Sequence, residues 1–276
     1  MDTAGGLIEY IASRQYHLRA PKLPAPIRGL PISRPASPFT AMFLPEIENG
    51  KLPGRVYMHQ ILIYSDSLTW GIIPNTRNRL PFEERWPGVL ENILNASGHK
   101  VRVIEDCLNG RRTVWDDPFK PGRKGLEGLA QRVEINSPLS LVILMLGTND
   151  FQVFHPCNDA WSAAQGIATL VNEIRKAPIE PGMPVPPVLI VCPPQIQSPR
   201  GNIAAKFRGA ELKCAGLAEA YLLIASSLGC YFFDAQTVTN TSSVDGVHLD
   251  RDQHLRLGNA LAEMVQSILT SPGVRD

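Results

Sequence analysis

No stretch of this sequence is apolar for long enough to cross a bilayer. The longest apolar runs, L-V-I-L-M-L (141–146) and V-L-I-V-C (188–192), have the length of strands. The first twenty residues carry acids early and never form an apolar h-region, so no secretory leader is expected. An excess of charge of one sign is missing too. The chain has 27 basic and 26 acidic residues and a formal net charge of +1. That balance gives no global attraction to nucleic acid or acidic lipid, and neither is expected as a partner. Cysteine is sparse, with five residues, widely spaced and odd in number, and no C-x-x-C pair. Reduced, structural thiols in the cytoplasm are the expectation.

Several sequence signatures of cofactor and metal chemistry are also missing. There is no G-x-G-x-x-G, no phosphate-binding glycine–lysine loop and no H-E-x-x-H. Asp66, Asp150 and His155 are the nearest thing to a metal set, but their spacing matches no ligand pattern. No cofactor and no metal are expected. The G-x-S-x-G elbow is absent as well, which argues against a typical α/β-hydrolase.

What is present suits one large domain with an appendage. Hydrophobic residues make up 44% of 276, enough for a full core. Residues 1–57 read as a proline-rich extension, with eight prolines between 21 and 53. Proline removes backbone donors and resists both helix and central strand. A short helix near 6–17 is the one regular element expected there. From residue 58 to 276 the pattern becomes regular. Strands are expected at 60–64, 101–105, 141–147, 187–192 and 230–234. Helices are expected at 83–97, 159–176, 204–227 and 252–270, the first on the spacing of Trp86, Leu90, Ile93 and Leu94 with Gly98 as its stop. Alternating strands and helices predict an α/β domain with helices on both faces of a parallel sheet.

In such sheets the active loops lie beyond the carboxyl ends of the strands. Four polar clusters fall there: S-D-S-L-T-W-G (65–71), D-C-L-N-G-R-R-T (106–113), G-T-N-D (147–150) and D-G-V-H (245–248). Ser67 stands where a strand turns, and as a nucleophile it needs a base within reach. His248 is the preferred base, with Asp245 three residues earlier to orient it. His155 is the alternative base and Asp234 the rival acid. Asn149 and Gly110 suit an oxyanion hole, one through its side-chain amide and the other through its backbone N–H, with the Ser67 N–H as third donor. Asp66 is expected to order its loop. Trp70, Trp115, Phe119, Phe151 and Phe154 are candidates to line an apolar entrance, and Trp70, Phe151 and Phe154 form the expected substrate pocket. Arg111 and Arg112 read as solvated surface charges, with attraction of an anionic leaving part as the alternative.

These blocks resemble those of the GDSL, or SGNH, hydrolases, and within them the bacterial arylesterase/acyltransferase branch. Y-S-D-S-L-T-W-G resembles the block that carries the nucleophile, at Ser67. C-L-N-G-R-R-T resembles the block with the backbone oxyanion donor, at Gly110. L-G-T-N-D resembles the block with the side-chain donor, at Asn149, and V-D-G-V-H-L the block with acid and base, at Asp245 and His248. The likeness runs from about residue 59 to 270. It implies a three-layer α/β/α sandwich on a five-stranded parallel sheet of flavodoxin-like type. It also implies a small-molecule ester as substrate, short-chain acyl esters such as aryl acetates above all, with acyl transfer to an alcohol or peroxide as a further activity. Trp70 would shape a small acyl pocket, and assembly into a homo-oligomer is implied.

Two positions depart from the pattern. Ser65 stands where the family carries glycine, which predicts a shifted nucleophile loop or reduced activity. Cys107 stands where many relatives carry glycine, a milder change. Two other readings follow. One is a carbohydrate or sialate O-acetylesterase of the same fold. The other is a binding or scaffold protein whose turnover was lost through Ser65.

Overall fold

A computed structural model describes residues 58–155 and 157–271. The extension 1–57, with its expected helix near 6–17, lies outside the described residues.

Five strands form one sheet: β1 (His59–Ser65), β2 (Val101–Cys107), β3 (Leu141–Met145), β4 (Val188–Cys192) and β5 (Tyr231–Asp234). Their order is β2-β1-β3-β4-β5 and every pairing is parallel. Side chains alternate across the sheet, so each strand contributes to two cores. Leu62, Val142, Leu144 and Ile190 join the helices α3 (Leu129–Asn136), α4 (Ala160–Arg175) and α7 (Leu217–Leu228) on one face. Ile61, Ile63, Ile143 and Val191 join α2 (Trp86–Ala96) and α8 (Arg251–Thr270) on the other. The architecture is the expected three-layer sandwich. A sheet buried on both faces explains why β3 and β4 read as unbroken apolar runs.

The long helix expected at 204–227 is three pieces: α5 (Ala204–Phe207), α6 (Ala210–Lys213) and α7. Gly209 and Gly216, both at φ +78°, break it. The abundance of alanine and leucine there masked two glycines that adopt a left-handed conformation. Helix α3 was not foreseen. Only Leu129 and Val133, one turn apart, point fully inward, too few to show a period.

Strand order 2-1-3-4-5 reverses direction between β1 and β3. A crevice opens beyond the carboxyl ends of strands at such a switch point. Ser67 lies just past β1 and Asn149 just past β3, so the topology brings these two blocks together.

Candidate active site

The chain leaves β1 at Ser65 and enters the four-residue helix α1 (Ser67–Trp70). Asp66 caps that helix by accepting the Leu68 N–H at 3.0 Å, and Gly71, at φ +83°, ends it. The tight turn fixes Ser67 at the sheet edge with its side chain turned toward the loop before α8.

That loop is held by its backbone. The Ser242 N–H donates to the His248 carbonyl, and the Gly246 N–H to the Ser242 carbonyl. Gly246 must be glycine: its φ is +75°, and a Cβ would lie 2.5 Å from the Ser198 carbonyl oxygen. One Asp245 oxygen, Oδ1, accepts the Val247 and His248 N–H groups, both at 2.9 Å. The other, Oδ2, meets His248 Nδ1 at 2.7 Å. His248 Nε2 lies 3.1 Å from Ser67 Oγ. A carboxylate only accepts, so Nδ1 carries the proton and Nε2 offers its lone pair to the serine hydroxyl. Burial pushes the Asp245 carboxyl up, but the His248 contact and the two N–H donors outweigh it and leave it below the usual range. The acid therefore stays ionised beside its histidine.

Gly110 sits in a turn closed by the Arg111 N–H on the Leu108 carbonyl. Its φ of +82° requires glycine. Among the described residues neither the Ser67 nor the Gly110 N–H has an acceptor. Asn149 lies in a 3-10 turn (Thr148–Phe151) entered through Gly147. Gly147 has φ +121°, and a Cβ there would lie 2.2 Å from Tyr221 Oη. The Asn149 amide donates to Asp66 Oδ2 at 2.8 Å and to the Arg111 carbonyl at 3.1 Å. It thus bridges the residue before Ser67 and the residue after Gly110. Burial pushes the Asp66 carboxyl up to about 6.

The rival groups lie elsewhere. A His155 ring nitrogen is 3.0 Å from the Asp116 carbonyl. Asp234 accepts the Gln236 N–H at the end of β5. His254 is buried in α8, where burial lowers its pKa to about 3 and Nδ1 accepts the Trp86 N–H. Among the described residues no group of three or more His, Cys, Asp or Glu side chains is placed to hold a metal.

A hydroxyl, an imidazole and a carboxylate in series, with unbonded N–H groups on Ser67 and Gly110, are equipped for acyl transfer through a serine. Comparison with known proteins bears on the same point. A family model described as GDSL-like Lipase/Acylhydrolase family matches residues 66–261. The chain belongs to that family. A putative arylesterase from Agrobacterium tumefaciens is 40% identical; the match covers 77% of this chain and 100% of that one, with a TM-score of 0.70. The inhibitor-bound aryl esterase of M. smegmatis is 36% identical over 76% of this chain and 100% of that one, with a TM-score of 0.72. A carbohydrate acetylesterase family member from Sinorhizobium meliloti is 35% identical over 78% and 100%, with a TM-score of 0.72. None of the curated proteins matches the chain. At the family level this is an esterase acting on small acyl esters.

In this GDSL-like hydrolase, Ser65 replaces the glycine of the family pattern. It is fully buried in extended backbone at the end of β1. Its hydroxyl donates to the Met145 carbonyl at 2.6 Å and lies 2.6 Å from Thr69 Oγ1. Thr69 Oγ1 in turn accepts the Trp86 indole N–H at 3.1 Å. Indole only donates and a carbonyl only accepts, so the chain runs one way: Trp86 to Thr69 to Ser65 to Met145. The serine fits without strain and ties α1 to β3. Cys107 is part-buried at the end of β2, and burial pushes its thiol well above the usual range.

The entrance differs from expectation. Phe151 is fully buried in the core, so it supports the Asn149 turn from behind and offers no wall to a substrate. Its place in a G-T-N-D-F turn that folds inward is the reason. Trp70 is half-buried, with the Arg79 guanidinium 4.8 Å above its ring. Phe154 stands at the surface in edge contact with Phe119 at 4.8 Å. Trp115 lies 5.7 Å from the His155 ring. Arg111 and Arg112 are not solvated charges; both are buried. Arg111 pairs with Asp106 at 2.6 Å, donates to the Ser65 carbonyl at 2.9 Å and stacks over Tyr64. Arg112 is tied to Gln152, Asp117 and the Asp116 carbonyl. Sequence reasoning missed Gln152, Thr113 and the role of Asp150, whose carboxylate accepts the Thr113 N–H and hydroxyl. These partners lie 37 to 40 residues apart, and no local spacing announces them.

Proposed function

We propose that the protein is a serine esterase of short-chain acyl esters, aryl acetates foremost, in which Ser67 is the nucleophile, His248 the base and Asp245 the acid. The observation that carries this reading is the pair of contacts at 3.1 and 2.7 Å that links the three. Ser67 Oγ attacks the ester carbonyl while His248 Nε2 takes its proton. Asp245 fixes the imidazole tautomer and offsets the imidazolium charge. The negative charge on the carbonyl oxygen is received by the Ser67 and Gly110 N–H groups and the Asn149 amide. Collapse breaks the ester C–O bond, and the alcohol or phenol leaves with the proton from His248. Water then attacks the acyl-serine, giving its proton to His248; collapse breaks the acyl C–Oγ bond, His248 returns the proton to Ser67 Oγ, and the acid departs. An alcohol or hydrogen peroxide in place of water gives acyl transfer or perhydrolysis.

Trp70 is the expected floor of the acyl pocket, with Phe154 at the outer rim. A carbohydrate O-acetylesterase is the second reading, supported by the 35% identity to the Sinorhizobium meliloti acetylesterase. The hydrogen-bonded fit of Ser65 argues against a scaffold that lost turnover. Residues 58–276 are read as the hydrolase domain and 1–57 as an extension of it. Among the described residues no helix is long and apolar enough to cross a membrane. The five unpaired cysteines fit a reducing compartment, and the cytoplasm is the location this reading assigns. Assembly into a homo-oligomer belongs to this reading, and light scattering on the purified protein tests it.

The test of function is a p-nitrophenyl ester chain-length series run beside acetylated sugars, with Ser67→Ala as control. Acetate should be turned over fastest and Ser67→Ala should be inert. Preference for sugar acetates over aryl acetates selects the second reading, and turnover retained in Ser67→Ala removes both.

A further inference from the structure

The amide of Asn149 is useful to an oxyanion only if its NH2, and not its oxygen, faces the Ser67 and Gly110 turns. Nothing in the asparagine itself settles that choice, because its two ends have nearly the same shape. The acceptor-only Arg111 carbonyl in front of it and the buried side chains behind it do. Arg112 Nη2 lies 2.6 Å from Gln152 Oε1, and Gln152 Nε2 lies 2.7 Å from Asn149 Oδ1. Arg112 and Gln152 are fully buried and Asn149 is 3% exposed, so bulk water does not compete for these groups. A guanidinium has five N–H donors and no acceptor. Gln152 must therefore turn its oxygen to Arg112 and its NH2 to Asn149. Asn149 must then turn its oxygen to Gln152 and its NH2 away, toward Asp66 Oδ2 and the Arg111 carbonyl. The opposite orientation of either amide would set two donors or two acceptors face to face at these distances. The far end of the relay is fixed as well: Arg112 is held by Asp117 Oδ2 at 3.3 Å and by the Asp116 carbonyl at 2.9 Å.

We infer that Gln152 and Arg112 are positioning residues, a one-way hydrogen-bond relay in which the donor-only guanidinium holds the Asn149 amide from behind in the direction that the Arg111 carbonyl also requires, and so keeps its N–H groups aimed at the oxyanion. The inference rests on the serine esterase reading above and adds to it two residues that touch neither substrate nor nucleophile. Asp66 marks where the relay ends. Its carboxylate occupies one Asn149 proton in the resting site, and a developing oxyanion beside the Ser67 N–H would share that proton.

The test is a Gln152→Glu substitution. The side chain keeps its length and its bond to Arg112, but a carboxylate now faces Asn149 Oδ1. Two acceptors then face each other, and turning the asparagine over would only set its oxygen against the Arg111 carbonyl, so the Asn149 side chain is expected to be displaced and its N–H groups to lose their aim. With p-nitrophenyl acetate, kcat should fall on the order of 100-fold, as for loss of an oxyanion donor. KM should stay within about threefold, because a uniform ground-state contact is not lost. A merely structural role would not produce that split. In the Asn149→Ala background, Gln152→Glu should cost nothing further, since it acts only through Asn149. Gln152→Met, which keeps bulk but neither donates nor accepts, should lose less activity than Gln152→Glu and be equally silent beside Asn149→Ala. It also serves as the test should the glutamate variant fail to fold. Near-unchanged kcat in folded Gln152→Glu, or losses that multiply in the double variant, would overturn the relay. Full activity of Asn149→Ala, with Ser67→Ala inert, would overturn the relay while leaving the nucleophile in place. Turnover that survives Ser67→Ala would overturn the esterase reading itself, and the relay with it.

Discussion

Replacing Ser65 separates an adapted residue from a damaged one. The family resemblance expects glycine there, so Ser65→Gly would repair a defect and raise activity. The structure predicts the reverse. The Ser65 hydroxyl makes two contacts of 2.6 Å in a site with no solvent exposure. Ser65→Ala removes both and leaves the Thr69 hydroxyl only the weak acceptor Met145 Sδ, 3.9 Å away. A buried hydrogen bond contributes about 1 kcal/mol net, and an orphaned partner costs about 1–3 kcal/mol more, which together give about 3 kcal/mol. Ser65→Gly adds backbone freedom in a strand, roughly 0.5–1 kcal/mol further. For a domain of roughly 200 residues, each kcal/mol shifts Tm by about 2–4 °C, so Ser65→Ala should melt about 6–12 °C lower and Ser65→Gly slightly lower still. Urea unfolding followed by circular dichroism gives the free energies, and p-nitrophenyl acetate hydrolysis well below Tm gives kcat. Both variants should also turn over more slowly, because Thr69 is two residues from Ser67 and keeps only its weak sulfur contact to β3. If Ser65→Gly equals or exceeds the wild type in stability and in kcat, the hydroxyl chain contributes nothing and the serine is a defect.

Three further outcomes follow from the site. Asp245→Asn should cost on the order of 10⁴-fold in kcat, because a neutral amide permits the wrong imidazole tautomer; steady-state kinetics that show a loss below tenfold would contradict the assignment. The buried Asp66 and Asp150 carboxyls are raised from 3.8 to about 6 and about 7. Their folded values lie above the unfolded one, so the stability each contributes is full below about pH 4 and is lost as pH rises through 6 and 7. Asp245 is depressed and works in the opposite sense, losing its contribution as pH falls below the usual carboxylate range. Unfolding free energies of Asp150→Asn between pH 4 and 8 should therefore show a flatter decline than the wild type, and an unchanged slope would remove Asp150 from the account. Gly147→Ala should unfold the Asn149 turn or abolish activity, since its Cβ would displace the Tyr221 hydroxyl that bonds the Leu146 carbonyl at 2.9 Å.

The sheet and the hydrogen-bonded series at its edge were legible because their signals are local. The strands are short, four to seven residues, with β3 and β4 unbroken apolar runs, and Asp245 and His248 are three residues apart on one turn. Placing the polar clusters at strand ends was enough to bring Ser67 to His248 across 181 residues. Other features were not legible, for identifiable reasons. The break of 204–227 depends on two glycines in left-handed backbone, which a helical period does not register. The burial of Arg111 and Arg112 depends on Asp106, Asp117 and Gln152, and the last of these is distant in sequence. Phe151 looked like a rim aromatic because its neighbours in sequence are polar, yet its turn points it into the core. The hydrogen-bonded fit of Ser65 depends on Met145 and Trp86, neither of which is near it in sequence. What escaped sequence reasoning is therefore mostly the layer behind the site, where partners meet only after the sheet has formed.

The most direct measurement is covalent labelling of the purified protein with a fluorophosphonate probe, followed by mass spectrometry of the modified peptide. The account predicts one adduct, on Ser67, that is absent in Ser67→Ala, retained in folded Ser65→Ala, and strongly slowed in His248→Ala. Labelling of Ser65, or labelling that persists in Ser67→Ala, would contradict it.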